Sequence, residues 1–444
     1  MKKQLFAIAA ISAVAMPALA GGYVTNTNQS AAYLRTLARS TTSDIDAVYF
    51  NPAGLVWNEH EGFALQLNIQ TAKQNRNILA DYTLDGKNFI SKKYEGEVFA
   101  PVIPSLYATY KNGDFVWSGS FSVVGGGGTC EFSKGLAMFD MLVQSSALQS
   151  GLTPNLYDIT SSLDGSKIIY GVQLGGSYKI NEWLSGYVGA RLNYVAAGYK
   201  GNLSANLKTA LPNGVPAGFA FTTIDLDCEQ NGMGVTPIIG LTAKYGKWSL
   251  NAKYEYNTSV ELENDTKSLV MTKMGQEVDA KQTLGAYADG VKTDADIPGI
   301  LSVAAGYEIL PNLRAAVEFH NYFDEQSTMA NDRQDLLDGS TKEYLASLEW
   351  DLNKKWTVSA GYQYTSYDGL TDAFQSDTDF FCNATCVGAG FAYNISEKMR
   401  LNLGYMHTFY EDYKMNLVSG GNKFGTKTYE RTNSTFGISL DYKF

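Results

Sequence analysis

From Phe63 to the last residue, apolar and polar positions alternate with a period of two, segment after segment. At the end of the chain Phe436, Ile438, Leu440, Tyr442 and Phe444 fall on one face of an extended strand, and Gly437, Ser439, Asp441 and Lys443 on the other. Trp248, Leu250, Ala252, Tyr254 and Tyr256 alternate in the same way with Ser249, Asn251, Lys253, Glu255 and Asn257. Trp356, Val358, Ala360, Tyr362 and Tyr364 do so with Thr357, Ser359, Gly361, Gln363 and Thr365, and Val188, Ala190, Leu192 and Tyr194 with Gly189, Arg191 and Asn193. A soluble sandwich explains one such strand; repetition along the whole chain points to a barrel. Strand candidates lie at about 63–71, 99–111, 115–125, 167–180, 184–199, 232–245, 248–260, 298–309, 313–324, 342–352, 356–367, 384–395, 399–410 and 429–444. They number fourteen, an even count as single-chain bacterial barrels require.

The connections carry a second signal. Those at 111–114, 180–183, 245–247, 310–312, 352–355 and 395–398 are short, those near 72–98, 126–166, 200–231, 261–297, 325–341, 368–383 and 411–428 are long, and the two kinds alternate strictly. This is the periplasmic-turn and extracellular-loop asymmetry of an outer-membrane barrel, and it places both chain ends on the periplasmic side. Charge sorting agrees, because Lys253, Glu255 and Arg191 all fall on the polar face, where a bilayer would put them. Two features fit less well: His407 falls on the outward face between Tyr405 and Phe409, and both faces of the segment from 298 are apolar.

Composition narrows the class. The chain has 29 Tyr, 21 Phe and 43 Gly, 18% charged residues and a formal net charge of −10, which gives no basic face for nucleic acid. Met1 to Ala20 reads as a secretory leader: Lys2 and Lys3, an apolar run, then Ala18-Leu19-Ala20 before Gly21. No later window reaches the length of a spanning helix. Four cysteines in an oxidising compartment suggest two disulfides, Cys382 with Cys386 and Cys130 with Cys228, provided that the first pair is not held in extended strand. A metal site is not expected from Cys-x3-Cys without a neighbouring histidine, and no cofactor motif is present.

Fourteen strands enclose a lumen too wide for wall side chains to fill, so it is either an open pore or plugged. Residues 21–62 precede the first strand, do not read as strands, and contain Asn28-Gln29-Ser30, Asp44-x-Asp46-Ala47-x-Tyr49-Phe50 and Asn51-Pro52-Ala53-Gly54-Leu55. This segment resembles the N-terminal hatch of the FadL/TodX outer-membrane family. The resemblance implies a signal peptide at 1–20, a hatch at 21–62 and a fourteen-stranded barrel at 63–444. It further implies passive uptake of hydrophobic compounds, such as fatty acids, other lipids or hydrocarbons, by a monomer set in outer-membrane lipid. Tyr23-Val24-Thr25-Asn26 departs from the family's usual apolar opening.

Candidate functional residues follow. Asn51, Pro52, Ala53 and Gly54 form a compact turn expected to act as the gate element, because proline fixes φ and glycine accepts unusual backbone angles. Asn51 is expected to hold it to lumen groups such as Arg191 or Glu255. The alternative is a static plug with sideways exit near Gly125, Gly126, Gly127 and Gly128, which let a strand bulge and where the resembling family opens its wall. In the loop 126–166, Leu136, Met138, Phe139, Met141 and Leu142 crowd a helical segment, read either as a greasy capture groove or as packing on neighbouring loops. An enzyme is not expected, since His60, His320 and His407 lack a convincing nucleophile partner. A polar-solute porin and a structural or adhesive barrel are the other readings; neither explains the hatch-like segment.

Overall fold

The structure, a computed structural model, describes residues 30–212 and 214–444. The expected leader, and Asn28 and Gln29 of the hatch motif, lie outside the described residues. The strands are β1 (Gly62–Tyr82), β2 (Ile90–Asn112), β3 (Phe115–Phe132), β4 (Tyr157–Lys179), β5 (Leu184–Leu207), β6 (Ala220–Tyr245), β7 (Trp248–Glu255), β8 (Glu261–Lys273), β9 (Gln276–Val278), β10 (Lys292–Asp294), β11 (Ile300–Leu310), β12 (Leu313–Tyr322), β13 (Thr341–Asp351), β14 (Trp356–Tyr367), β15 (Ala384–Asn394), β16 (Met399–Tyr410), β17 (Tyr413–Ser419) and β18 (Asn422–Lys443). All but β8, β9, β10 and β17 make a closed antiparallel barrel of fourteen strands, in which β18 returns to pair with β1 from Lys443 opposite Ala64 to Gly425 opposite Tyr82.

Alternation has the expected consequence. Val188, Leu192, Leu250, Trp356, Tyr362, Phe436 and Ile438 are exposed on the outside, while Arg191, Asn193, Lys253, Glu255, Gln363, Ser439 and Asp441 are buried on the inside. Exposed aromatics gather near the short turns, with Trp117, Trp183, Trp248, Trp350 and Trp356 among them, as in the interfacial girdle of a membrane barrel. Residues read as long loops at 200–231, 261–297 and 411–428 are strands over much of their length: β5 and β6 continue past the apolar belt, β8 pairs with β6, and β17 with β18. Their outward faces carry Lys200, Asp225, Asp227, Glu229 and Lys267, so the apolar outward stripe that marks a membrane strand ends before the strand does.

Residues 30–61 fill the lumen. Helix α1 (Ala31–Thr36) is capped by Ser30, whose hydroxyl accepts from Tyr33 N–H and donates to Asp46 at 2.7 Å. Helix α2 (Ala47–Phe50) leads into a 3-10 helix, Pro52–Trp57. Asp46 also takes two bonds from Arg39, and Phe50 stacks on Tyr33 at 5.3 Å, which explains why that motif combines an acid and an aromatic. The wall is cut to receive α1. A Cβ on Gly404 would lie 2.4 Å from Ala31 O, and one on Gly361 2.0 Å from Thr36 O. The ambiguous strand from 298 has the same cause: Gly306 meets Thr41 and Ala304 is buried, so its inner face is small rather than polar.

Candidate functional site

The Asn51 turn is tied to the wall through side chains of several strands. Asn51 Oδ1 accepts from Gly54 N–H, from Thr242 Oγ1 at 2.6 Å and from Asn251 Nδ2, while its Nδ2 donates to Thr42 O. Its wall partners are therefore Thr242 and Asn251. Glu255 instead pairs with both Arg191 and Lys253, and Lys253 Nζ donates to Tyr49 O at 2.7 Å, elsewhere in the hatch. Ser177 and Ser185 hydroxyls donate to the carbonyls of Pro52 and Ala53.

A few strands round the barrel from the turn, the wall has a seam. Cross-strand pairing of β2 with β3 runs from the short-turn end to Ser105 opposite Ser122, stops, and resumes at Val98 opposite Cys130. Both strands encode the interruption. β2 carries Pro101 and Pro104, which lack the N–H a ladder needs, and β3 carries the four glycines with register shifts against β4 on both sides of Gly126. The seam is closed by Ala100, Ile103 and Val123 packed together, with Phe99 and Val102 exposed on the outer surface. Gly126 has φ +71, and a Cβ there would sit 1.8 Å from Lys167 O. Gly126→Ala should therefore destabilise the barrel by roughly 1–3 kcal/mol through backbone strain alone. A lower urea midpoint in detergent, followed by heat-modifiable gel mobility, checks this.

Behind the seam lies a lumenal cavity of ≈ 300 Å³, lined by Gly126, Gly128, Val98, Ala100 and Ile103 on the seam side, and by Glu343, Gln363, Thr365, Phe381 and Cys386 across the lumen. Arg76, Arg431 and Lys167 also line it. Arg76 and Arg431 are cross-strand neighbours on β1 and β18, and both donate to Phe380 O, at 3.3 and 3.1 Å. Arg76 also lies 4.4 Å above the Phe380 ring. Among the described residues no carboxylate lies within 4 Å of either guanidinium, and the Nε of each is buried without a partner. Sequence reading missed this pair, since Arg76 fell in a stretch read as loop and the two meet only when the barrel closes.

The segment around Phe380 separates the cavity from an outer groove of ≈ 760 Å³ at the long-loop end. Helix α3 (Ala137–Gln149) supplies Met138, Phe139, Met141 and Leu142 to its lining, together with Leu336, Phe374, Met415 and Phe424. Leu136 differs from the other four: it precedes the helix and is fully buried in the core beneath the loops. Asp377 anchors the assembly by accepting from Met138 N–H at 2.7 Å, Lys427 Nζ at 2.6 Å and Tyr429 OH at 3.0 Å.

The loop 324–340, which contributes Ala330, Arg333 and Leu336 to the groove, is tied down by Asp324 accepting from Thr341 N–H at 2.8 Å. Burial pushes the Asp324 carboxyl up to about 6. An acid raised above its unfolded value binds its proton more tightly in the folded state, so this loop is most stable below pH ~4 and loses stability as pH rises to ~6. Asp324→Asn, which keeps an acceptor for Thr341, should remove that dependence and slow proteolytic nicking of 324–340 at pH 8 by about tenfold or less. Limited proteolysis at pH 5 and pH 8 reads it.

All four cysteines are free. β4 and β5 lie between Cys130 on β3 and Cys228 on β6, a separation of three strand spacings or about 14 Å, too far for a bridge. Cys386 sits within strand β15 with its Sγ 2.7 Å from Thr408 Oγ1, whereas Cys382 donates to Tyr429 O, so the proviso against extended strand decides that pair. His407 does face outward, and its Nδ1 lies 2.8 Å from Ser434 Oγ on β18, a cross-strand partner not anticipated from the sequence. Its ring packs on Phe409.

Comparison with known proteins bears on the architecture. Residues 272–444 match the family model described as outer membrane protein beta-barrel domain. Comparison with curated proteins gives no match. Among solved structures, a Pseudomonas aeruginosa FadL homologue superimposes with a TM-score of 0.67 at 14% identity, covering 96% of this chain and 100% of its own. The chain has the fold of that FadL homologue. The toluene transporters TodX of P. putida (TM-score 0.55, 13% identity, 90% and 94% covered) and TbuX of Ralstonia pickettii (0.52, 13%, 90% and 94%) share it. At these identities the likeness is one of fold, and the groove, cavity and seam of this FadL-like barrel are argued from its own residues.

Proposed function

We propose that this barrel sits in the outer membrane with its long loops outside and both chain ends in the periplasm, and passively takes up amphipathic hydrophobic compounds. The membrane setting is supported by the apolar belt with its aromatic girdle and by the matched family description. Ligand collects in the groove beside α3, passes Phe380 into the lumenal cavity, and leaves sideways through the β2–β3 seam. The Asn51 turn then serves as an anchor of the plug.

The observation that carries this reading is the course of the path. Groove, cavity and seam adjoin, Ala100 and Ile103 of the seam line the cavity directly, and the unpaired stretch between Val98 and Ser105 is held to β3 by apolar packing of Ala100 and Ile103 on Val123. An open porin is disfavoured because hatch residues fill the lumen and are bonded to the wall on several strands. The proteins of like fold are described as toluene transporters and a FadL homologue, which fits a hydrophobic cargo. The two half-buried arginines without a carboxylate favour a cargo with an anionic head, such as a fatty acid, because charge drawn out of water is ordinarily paired.

The test is uptake into liposomes containing the purified monomer, using dodecanoate, toluene and a small sugar, alongside single-channel conductance. Saturable dodecanoate entry with little conductance supports the proposal. A large steady conductance with sugar entry supports a porin instead.

A further inference from the structure

In a chain of net charge −10, lysines on the outer face of the long-loop end are paired: Lys73 with Glu97, Lys200 with Asp227, Lys267 with Glu229 and Lys292 with Glu261. The short-turn end departs from this on one sector of its rim. The β13–β14 turn carries Lys354 and Lys355, the β15–β16 turn Lys398, β16 Arg400 and the end of β18 Lys443. Among the described residues no carboxylate lies within 4 Å of any of these lysines, and Arg400 reaches only Asp44, at 4.0 Å, with its Nε buried and unpartnered. The turns after β2, β4 and β6 carry a single charge each, Asp114, Glu182 and Lys247.

All of these cations line one pocket of ≈ 450 Å³. Backbone bonds hold its shape. Asn394 N–H donates to Lys355 O at 2.8 Å and Asn394 Nδ2 to Lys354 O at 2.9 Å, which fastens the β13–β14 turn to β15, while Lys443 N–H donates to Lys398 O at 2.9 Å. The carboxylates in the lining are Asp44, Glu397 and Asp441. Asp44 is engaged by Arg39 at 2.7 Å and Asp441 by Gln66 at 2.6 Å, which leaves the exposed Glu397 as the acid that opposes the cations. The pocket also turns the corner of the wall. Arg400 and Lys443 enter it from the lumen face, Ile395 and Met399 from the outer face, where the exposed Ile395 continues the stripe of Phe391 and Tyr393 on which Trp356 packs.

We propose that this pocket binds the phosphate of an anionic phospholipid, such as phosphatidylglycerol, from the bilayer leaflet at the short-turn end. The inference rests on the membrane setting of the function proposed above and on none of its uptake path. A free phosphate would match the cations alone, whereas a lipid uses both halves of the lining: its phosphate among Lys354, Lys398 and Arg400, and an acyl chain along Ile395 and Tyr393 on the outer wall. The girdle sets the depth. Trp356 and Tyr393 stand at the interface, and the turn lysines just beyond them fall at head-group level, where each basic residue adds to the attraction for anionic lipid. Arg400 supplies a planar fork that takes a phosphate on two oxygens, and the lysines act as point charges on stems long enough to follow it. Since the turns with Asp114 and Glu182 offer no such charge, anionic lipid gathers on the β13–β16 side of the barrel and ties that side to one depth in the leaflet.

The experiment is native mass spectrometry of the full chain in detergent, titrated with phosphatidylglycerol or with phosphatidylcholine of the same chains. Wild type should hold phosphatidylglycerol at about tenfold lower lipid concentration than phosphatidylcholine. Lys354→Gln with Lys355→Gln and Lys398→Gln, all exposed and free of ion pairs, should keep the heat-modifiable gel mobility of a folded barrel and lose most of that preference. Arg400→Gln should lose part of it. Lys200→Gln with Lys267→Gln, at the opposite end, should lose none. A wild type without preference, or a triple variant that keeps it, overturns the site. Displacement of phosphatidylglycerol by millimolar inorganic phosphate also overturns it, because the pocket would then belong to the free anion. A chain that fails to insert into vesicles of either lipid overturns instead the membrane setting from which the inference starts.

Discussion

Replacing Arg76 and Arg431 together by glutamine should weaken dodecanoate binding by about tenfold or more, since each charge-assisted hydrogen bond to a buried carboxylate contributes roughly 1.5–3 kcal/mol. Dodecanol, with the same chain and a neutral head, should lose no more than about threefold, the size of an ordinary surface effect. The contrast matters because both guanidiniums also donate to Phe380 O, so the substitutions loosen the partition between groove and cavity for any ligand. Equal losses for acid and alcohol would assign the arginines to holding Phe380. A selective loss would assign them to the head group. Glutamine keeps a neutral amide donor on a shorter side chain, which removes the charge while leaving the site polar. Isothermal titration in a fixed detergent and salt gives both numbers, and the acid's affinity should also fall with added salt more steeply in wild type than in the variant.

On the proposed path, the arginine pair would also give passage an order of events. With Phe380 fully buried, stacked on Tyr429 at 4.6 Å and its carbonyl held by two cations, groove and cavity are separate compartments. An anionic head offers the cations a better acceptor than a neutral carbonyl, so the ligand that fits the cavity is also the one that displaces its lid. A neutral hydrocarbon has no such lever and must displace Phe380 by apolar contact alone. On that path the same chemistry that selects the head would also admit it.

How much of this was legible beforehand depends on distance along the chain. The wall was legible because each membrane strand declares its two faces within a dozen residues, as Trp248 to Glu255 does. The hatch was legible as a segment through Asp44 to Leu55, and the groove through the apolar helix at Met138 to Leu142. The strand extensions were not, because above the apolar belt both faces meet water or loop, and the outward stripe of Val188 and Leu192 gives way to Lys200 and Asp227. The seam was half legible: the four glycines of β3 stand out in the sequence, but Pro101 and Pro104 acquire their meaning only once β2 is known to lie beside β3. Contacts such as Arg76 with Arg431, or Asn51 with Thr242, join residues hundreds of positions apart or set by register. Asn51 was expected to bond lumen groups and does, yet Arg191 and Glu255, although lumen-facing, are taken up by each other. The disulfides failed for the same reason, since an even cysteine count says nothing about how many strands stand between two thiols.

A lock placed across the Asn51 turn decides between sideways exit and passage through the hatch. A Cβ on Gly240 would lie 3.8 Å from Ala53 Cβ, which is the usual Cβ separation of a disulfide, with no other atom closer than 3.7 Å. Ala53→Cys with Gly240→Cys, in a background where the four native cysteines are serine, should therefore oxidise without distorting wall or hatch. The bond would join the 3-10 helix to β6 at a point already held by Ser185 and, through Asn51, by Thr242 and Asn251. If ligand leaves through the β2–β3 seam, dodecanoate uptake under oxidising conditions should stay within about twofold of the reduced protein, because the seam and the Ser30–Ser40 segment remain free to move. If the turn is itself the gate, uptake should fall to the level of empty liposomes when oxidised and return on reduction. The outcome follows from where the bonds lie: displacing the turn breaks buried hydrogen bonds to Ser177, Ser185, Thr242 and Asn251, each costly to leave unmade, whereas at the seam the β2–β3 ladder is already interrupted between Val98 and Ser105 and apolar packing of Ala100, Ile103 and Val123 stands in its place.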